Sequence, residues 1–346
     1  MPTQILRSST TDTPTKTTTT KSVAPPDPLP WQPDSELPGY QAAVLELPDE
    51  PTYAHEPAGS LVATLVRRNE PTVSRAVLYV HGWNDYFFQT HLADSMAELG
   101  YDFYAVDLRR YGRSLRSKQL AGYITKLSDY FVELDLALAA VKAEGHDDVV
   151  LMGHSTGGLT ACLFAHERPG ELAALVLNSP WLELQGNAIL RPVTQPMITA
   201  ARAVAPTTAL PLTESGFYRR STHLTEGGEW SYNLNLKGDP AFLIRVGWFA
   251  AILEGHAKVA AGLSIDCPIL VAVSERSDFR RVWDDALLAA DIVLDVDRIM
   301  ERGSDLGNLV VLARIPDALH DLVLSRPAVR GVVLDEYARF LRCYAQ

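Results

Sequence analysis

Cysteine is scarce. The 346 residues hold only Cys162, Cys267 and Cys343, far apart and odd in number. They form neither a CxxC metal pair nor an even set of bridges, which points to a reducing, cytoplasmic setting. Positive charge is also short: 31 Lys and Arg stand against 42 Asp and Glu, a net charge of −11. Such a balance excludes the basic footprint of a general nucleic-acid binder. No run of 18 apolar residues occurs, so no membrane span is expected. The N-terminus has no apolar h-region and no small-residue cleavage site, so no secretory signal is expected. Ordinary apolar residues are plentiful at 47%, enough for a full core.

The first segment stands apart. Residues 1–22 carry nine threonines, and six prolines follow between Pro25 and Pro38. With almost no apolar side chains it cannot offset its ordering entropy. Residues 1–38 therefore read as a disordered Thr/Pro-rich leader, with Trp31 able to tack its end onto the body. Beyond it, short apolar runs alternate with helical spacing. Strands are expected at 42–48, 60–68, 75–82, 102–108, 147–153, 172–180, 267–274 and 308–315, the first two pairing antiparallel. Helices are expected at 92–100, 128–145, 157–170 and 326–345. This alternation predicts an α/β fold, a mostly parallel sheet flanked by helices. The alternation breaks over 183–265, a stretch rich in Pro, Thr and aromatics and long enough for a small helical subdomain. The expected organisation is a leader at 1–38, a core at 39–182 and 266–346, and an inserted lid at 183–265.

One motif carries chemistry. Gly153-His154-Ser155-Thr156-Gly157 is G-x-S-x-G, placed directly after a strand and opening a helix. That setting is the one a nucleophile elbow requires, where small residues let strand and helix approach. The helix N-terminus aims free amides at a developing oxyanion. His81-Gly82-Trp83 closes an early strand, and the backbone amides of Trp83 and Thr156 are the expected oxyanion donors, with His81 bracing the turn. A serine needs a base and an orienting acid, in the chain order Ser, acid, His for this architecture. Of His166, His223, His256 and His320, only His320 follows the end of a late strand, where active-site loops gather. For the acid, Glu275, Asp278, Asp284 and Asp285 compete. Asp278 lies within loop reach of its strand and is favoured, with Glu275 second.

These stretches resemble the α/β-hydrolase superfamily, and within it the branch of monoacylglycerol lipases, lysophospholipases and serine aminopeptidase S33-type domains. The resemblance rests on HGWNDY (81–86), GYDFYAVDLRRYGRS (100–114), LMGHSTGG (151–158), LNSPWLEL (177–184), CPILVAVSERSD (267–278) and ALHDLVLS (318–325). It implies an α/β-hydrolase fold with a helical lid, Ser155 as nucleophile, Asp278 as acid, His320 as base, and no metal or organic cofactor. Asp107, Arg109, Gly112 and Ser114 match a loop that is structural in relatives. Arg110 and Tyr111 depart from it by bulk and charge, and Asp85 stands where relatives often carry Glu. The usual spacing would put the acid at Ser277, one residue before Asp278.

The implied reaction is hydrolysis of a small or monoacyl ester through an acyl-enzyme, with a small-molecule substrate as the partner. Three other readings stay open. An aminopeptidase or amidase would need lid acids such as Glu214, Glu226, Glu229 or Glu254 to hold an amine. An acyltransferase would replace water by an alcohol. A binding protein would use the fold without catalysis. The basic run Arg109, Arg110, Arg113, Arg116 and Lys118 is a minor candidate for attracting an anionic substrate.

Overall fold

The computed structural model describes residues 28–53, 56–185, 191–212 and 215–345. Nine strands form one sheet: β1 (Gln32–Pro33), β2 (Gln41–Glu46), β3 (Val62–Arg67), β4 (Arg75–Val80), β5 (Asp102–Asp107), β6 (Asp148–His154), β7 (Ala174–Asn178), β8 (Ile269–Ser274) and β9 (Val310–Ile315). Their spatial order is β1-β2-β3-β5-β4-β6-β7-β8-β9. The β1–β2, β2–β3 and β3–β5 pairs are antiparallel, and every pair from β5 through β9 is parallel. The helices are α1 (Thr90–Glu98), α2 (Phe131–Ala143), α3 (Thr156–Glu167), α4 (Arg191–Val204), α5 (Phe217–Thr222), α6 (Val246–Ala260), α7 (Val296–Gly303) and α8 (Pro327–Tyr344).

The period of two along each strand sorts the core into two layers. On β4, Ala76, Leu78 and Val80 face a cluster shared with α2, α3, α6 and α7. Val77 and Tyr79 face the other cluster, shared with α1 and α8. Both faces are covered, which is why the parallel strands read as continuous apolar runs rather than alternating ones. Each fully buried Val or Leu contributes about 1.5–3 kcal/mol of transfer free energy.

Two boundaries differ from the sequence expectation. Residues 28–38, placed in the leader, are packed onto the body, whereas 1–27 lie outside the described residues. Trp31 donates its indole N–H to Glu144 at 2.6 Å and sits under the Arg67 guanidinium at 4.3 Å. Asp34 takes two hydrogen bonds from Arg113, both 2.7 Å. Charge pairing and one aromatic anchor order a segment whose composition is otherwise poor in apolar residues. The second difference concerns the insertion between β7 and β8. It holds α4, α5 and α6, but α6 is part of the main core: Trp248, Ala251, Ile252 and Val259 join the larger cluster. Gly255 permits this approach, since a Cβ there would meet Leu127 at 2.5 Å and Leu159 at 3.3 Å.

Candidate active site

The elbow is built by three glycines and a strained serine. Ser155 has φ 53° and ψ −117°, a conformation that costs about 1–3 kcal/mol and persists only where surroundings enforce it. Three backbone bonds do so. The Ser155 amide donates to Asn178 O at 3.1 Å, and Ser155 O accepts from Trp181 N at 2.9 Å and Leu159 N at 3.2 Å. A Cβ on Gly157 would lie 2.2 Å from His81 O, one on Gly153 2.7 Å from Gly157 O, and one on Gly158 2.7 Å from Pro180 Cβ. The small residues are therefore steric necessities. Thr156 is the first residue of α3, so its N–H has no partner within the helix.

The second amide is oriented by His81. Its Nε2 accepts from Leu108 N at 3.0 Å, so its Nδ1 carries the proton and donates to Gly82 O at 2.8 Å. That carbonyl shares a peptide plane with the Trp83 N–H, so the imidazole fixes the direction of the amide. Gly82 lies close over Ser155: a Cβ there would be 3.1 Å from both His154 Cδ2 and Ser155 Cβ. The expected bracing role of His81 is thus visible in its bonds.

His320 follows β9 on a loop pinned by Ser274 Oγ, which donates to Ala318 O at 2.7 Å, and by Ser325 Oγ, which accepts from Leu319 N at 2.9 Å. The acid beside it is Asp291, not Asp278. His320 Nδ1 lies 2.8 Å from Asp291 Oδ2, and the carboxylate is fully buried. Its other oxygen accepts the amides of Val293 at 2.8 Å and Leu294 at 2.7 Å. Asp278 is turned to the surface, where Arg280 and Arg276 bind it. The Arg280 guanidinium, foremost, holds its carboxyl below the usual range. Glu275, Asp284 and Asp285 are exposed. The reason is a detour. After β8 the chain swings out through 278–290 and returns so that Asp291 pairs with Ser277: the Asp291 amide donates to Arg276 O and Asp278 N donates to Asp291 O, both 2.9 Å. Asp291 thus lies beside the position where family spacing expects the acid. One sequence feature marks it. It is an acid inside the apolar run Ala289-Ala290-Asp291-Ile292-Val293-Leu294, and an unpaired Asp is rarely buried.

Ser155, His320, Trp83, Asp85, His154 and Tyr218 line one cavity of about 350 Å³, together with Gln185, Ser215, Gly216, Ile292 and Val293. The Tyr218 ring meets His320 edge-on at 5.8 Å, and the His154 ring is 4.9 Å from it. Burial lowers the His154 pKa, and its Nδ1 lies 3.1 Å from Asn178 O. A carbonyl accepts only, so Nδ1 is the protonated nitrogen of a neutral ring.

The arginine loop does not reach this cavity. Arg109 is buried against Glu133 and Glu50, Arg110 against Glu56, and Arg113 between Asp34 and Asp107. These three are structural clamps, and none is free to attract an anionic substrate. Nor, among the described residues, do the acids named for an amine site line the cavity. Glu226 pairs with Arg219, Glu254 pairs with Arg202, Glu229 is exposed, and Glu214 lies outside the described residues.

Parallel sheet, elbow and His loop define an α/β-hydrolase. Residues 71–277, more than half of the chain, match the profile of the serine aminopeptidase S33 family, and the chain belongs to that family. No curated protein matches it. Among solved structures, a soluble variant of monoglyceride lipase from Saccharomyces cerevisiae in complex with a substrate analog is 16% identical with a TM-score of 0.59, covering 92% of this chain and 100% of that one. The Paleococcus ferrophilus monoacylglycerol lipase is 15% identical at a TM-score of 0.58, over 88% of this chain and 99% of that one. DcsB in complex with its substrate analogue is 16% identical at a TM-score of 0.60, over the same shares. At such identities the likeness speaks for the fold. No helix among the described residues is long and apolar enough to cross a membrane.

Proposed function

We propose that this chain is a serine hydrolase cleaving a small or monoacyl carboxylic ester, with Ser155 as nucleophile, His320 as base and Asp291 as its orienting acid. The observation that carries the reading is the buried Asp291–His320 bond opening on the same cavity as a strained elbow serine. With Nδ1–H given to Asp291, His320 keeps its Nε2 lone pair for the Ser155 proton. Oxygen then attacks the ester carbonyl, and the negative charge that develops is received by the Trp83 and Thr156 amides. His320 returns the proton to the leaving alcohol. A water, deprotonated by the same imidazole, releases the acid and restores Ser155. The inserted segment acts as a lid, since Gln185, Ser215, Gly216 and Tyr218 supply a wall of the cavity. Ester is favoured over amine-bearing peptide because, among the described residues that line the cavity, the one carboxylate, Asp85, is already held by Lys237 at 2.7 Å. Three free cysteines, two of them buried, fit a cytoplasmic protein.

The test is hydrolysis of p-nitrophenyl esters from C2 to C16 by wild type and Ser155→Ala. Activity that falls at least about 1000-fold in the variant supports the reading, and the preferred length sizes the pocket. Activity on amino-acyl anilides but on no ester would replace it by a peptidase, and ester products appearing only with added alcohols by an acyltransferase.

A further inference from the structure

Beside the nucleophile lies a charge cluster that the reaction above does not use. Asp85, His154 and Asp321 are all buried and bring one donor atom each within 4.8 Å of one another. Two carboxylates so close stay ionised only if positive charge or hydrogen bonds offset them. Asp321 accepts from Asn178 Nδ2 at 2.7 Å and from Gln89 Nε2 at 3.2 Å, one amide on each oxygen. His154 is neutral and adds no charge. The cation is Lys237, 7% exposed and contributed by the insertion. Its Nζ donates to Asp85 Oδ1 at 2.7 Å, the same oxygen that accepts the Tyr86 amide at 2.9 Å. It also lies 4.9–5.4 Å from the ring centres of Phe88, Tyr232 and Tyr218, a cage that favours a desolvated ammonium. Burial works to lower its pKa, but its surroundings, the Asp85 carboxylate foremost, together raise it.

The pair is mechanically placed as well. Residues 84–86 come directly after Trp83, the proposed oxyanion donor. The insertion grips this turn at three points: Lys237 on Asp85, Gly238 O accepting from Asn84 Nδ2 at 3.1 Å, and Asn233 N donating to Tyr86 OH at 2.8 Å. Of the three, only the Lys237 contact is charged and buried. Asn84 has φ 52°, a left-handed conformation that Asn tolerates.

We propose that Lys237 is a positioning residue of the active site, which neutralises Asp85 so that the turn carrying the Trp83 amide stays in place and no uncompensated carboxylate faces the cavity that His320 lines. The proposal rests on the serine-hydrolase reading. The groups that face His320 are Asp291 from the loop after β8, His154 from β6, Tyr218 from α5 and its neighbour Asp321. Those that face Lys237 are Asp85, Phe88, Tyr218, Tyr232 and, further off, Asp321. Burial raises the pKa of both tyrosines, which remain neutral. Removing the ammonium alone therefore leaves one uncompensated carboxylate near the base, and negative charge favours the imidazolium.

The experiment compares Lys237→Met, Asp85→Asn and the double variant with wild type, measuring kcat and KM from pH 5 to 9 on the best ester, alongside thermal unfolding and a Ser155→Ala control. Lys237→Met is expected to lower kcat at least about tenfold with KM within about threefold, and to move the acid limb up by at least about half a pH unit. Asp85→Asn is expected to move that limb down. The double variant, which removes the pair as a neutral unit, is expected to bring it back to within about 0.2 of wild type. If Lys237→Met does not fold, the opposite shift in Asp85→Asn and its cancellation in the double variant carry the test. Limbs that do not move, or that move the same way in both single variants, overturn the proposal while the hydrolase reading stands. Ester hydrolysis that survives Ser155→Ala overturns both.

Discussion

Replacing Asp291 by Asn is the most informative single change, because the two oxygens of its carboxylate have different duties. Oδ1 takes the amides of Val293 and Leu294, and Oδ2 faces His320 Nδ1. An Asn must leave its carbonyl oxygen on the two amides, so its NH2 turns to the histidine. Two donors then face each other unless His320 moves its proton to Nε2. In that tautomer Nδ1 accepts the amide proton, and the lone pair needed by Ser155 is gone. The fold is kept and the base is disabled, so kcat is expected to fall about 10³–10⁴-fold, with little change in KM. Asp278→Asn only frees two surface arginines from a carboxylate outside the cavity, and its activity is expected within about twofold of wild type. The assay is steady-state ester hydrolysis by both variants, with thermal melts confirming that both are folded. A loss of more than about 100-fold in Asp278→Asn, with Asp291→Asn near wild type, would sink the assignment and restore the acid that sequence spacing favours.

Further outcomes are expected. Gly157→Ala drives a Cβ to 2.2 Å from His81 O and should cost about 3 kcal/mol or more; Gly331→Ala, in α8 with open space around it, should raise stability by about 0.5–1 kcal/mol, both read by chemical denaturation. His91 is held down to about 4 from its ordinary 6.5, mainly by burial. The neutral ring is the form the fold accepts, so its contribution is full above pH 6.5 and is lost as pH falls towards 4, at most about 3 kcal/mol and less for the part of the ring left exposed. Urea melts at pH 7 and 4.5 should show a smaller acid loss in His91→Gln, and equal losses would refute this. Burial raises the Cys162 pKa and pushes Cys267 up to about 12, while Cys343 is exposed. A thiol reagent at pH 8 should count one cysteine in the native protein and three in denaturant.

The strands were legible because burial on both faces leaves an unmistakable apolar run, as in Val149-Val150-Leu151-Met152. Ser155 and His320 were legible because their places are dictated by strand ends, which the sequence marks. Asp291 was not, because its place depends on a loop that leaves the sheet and returns, and nothing in local spacing reports where such a loop closes. The same reason hides β1 and the packing of 28–38. Their order comes from partners far along the chain, Glu144 for Trp31 and Arg113 for Asp34. Charge runs misled for a related cause. Arg109, Arg110 and Arg113 read as a run that could attract an anion until their five carboxylates, supplied by four separate segments, are brought to them.

The detour that delivers Asp291 also delivers the two residues after it. Ile292 and Val293 line the cavity beside Ser155, and the Val293 amide is one of the two that fix the Asp291 carboxylate. On the proposed reading, substrate choice and proton relay are therefore written into consecutive residues of one loop. A lineage or a designer altering the cavity at 292 or 293 disturbs the acid by the same stroke. A change at Ser215, on the inserted segment, carries no such coupling to the acid. The freedom to diverge in specificity lies on the inserted side of this cavity, and the returning loop is the conservative wall.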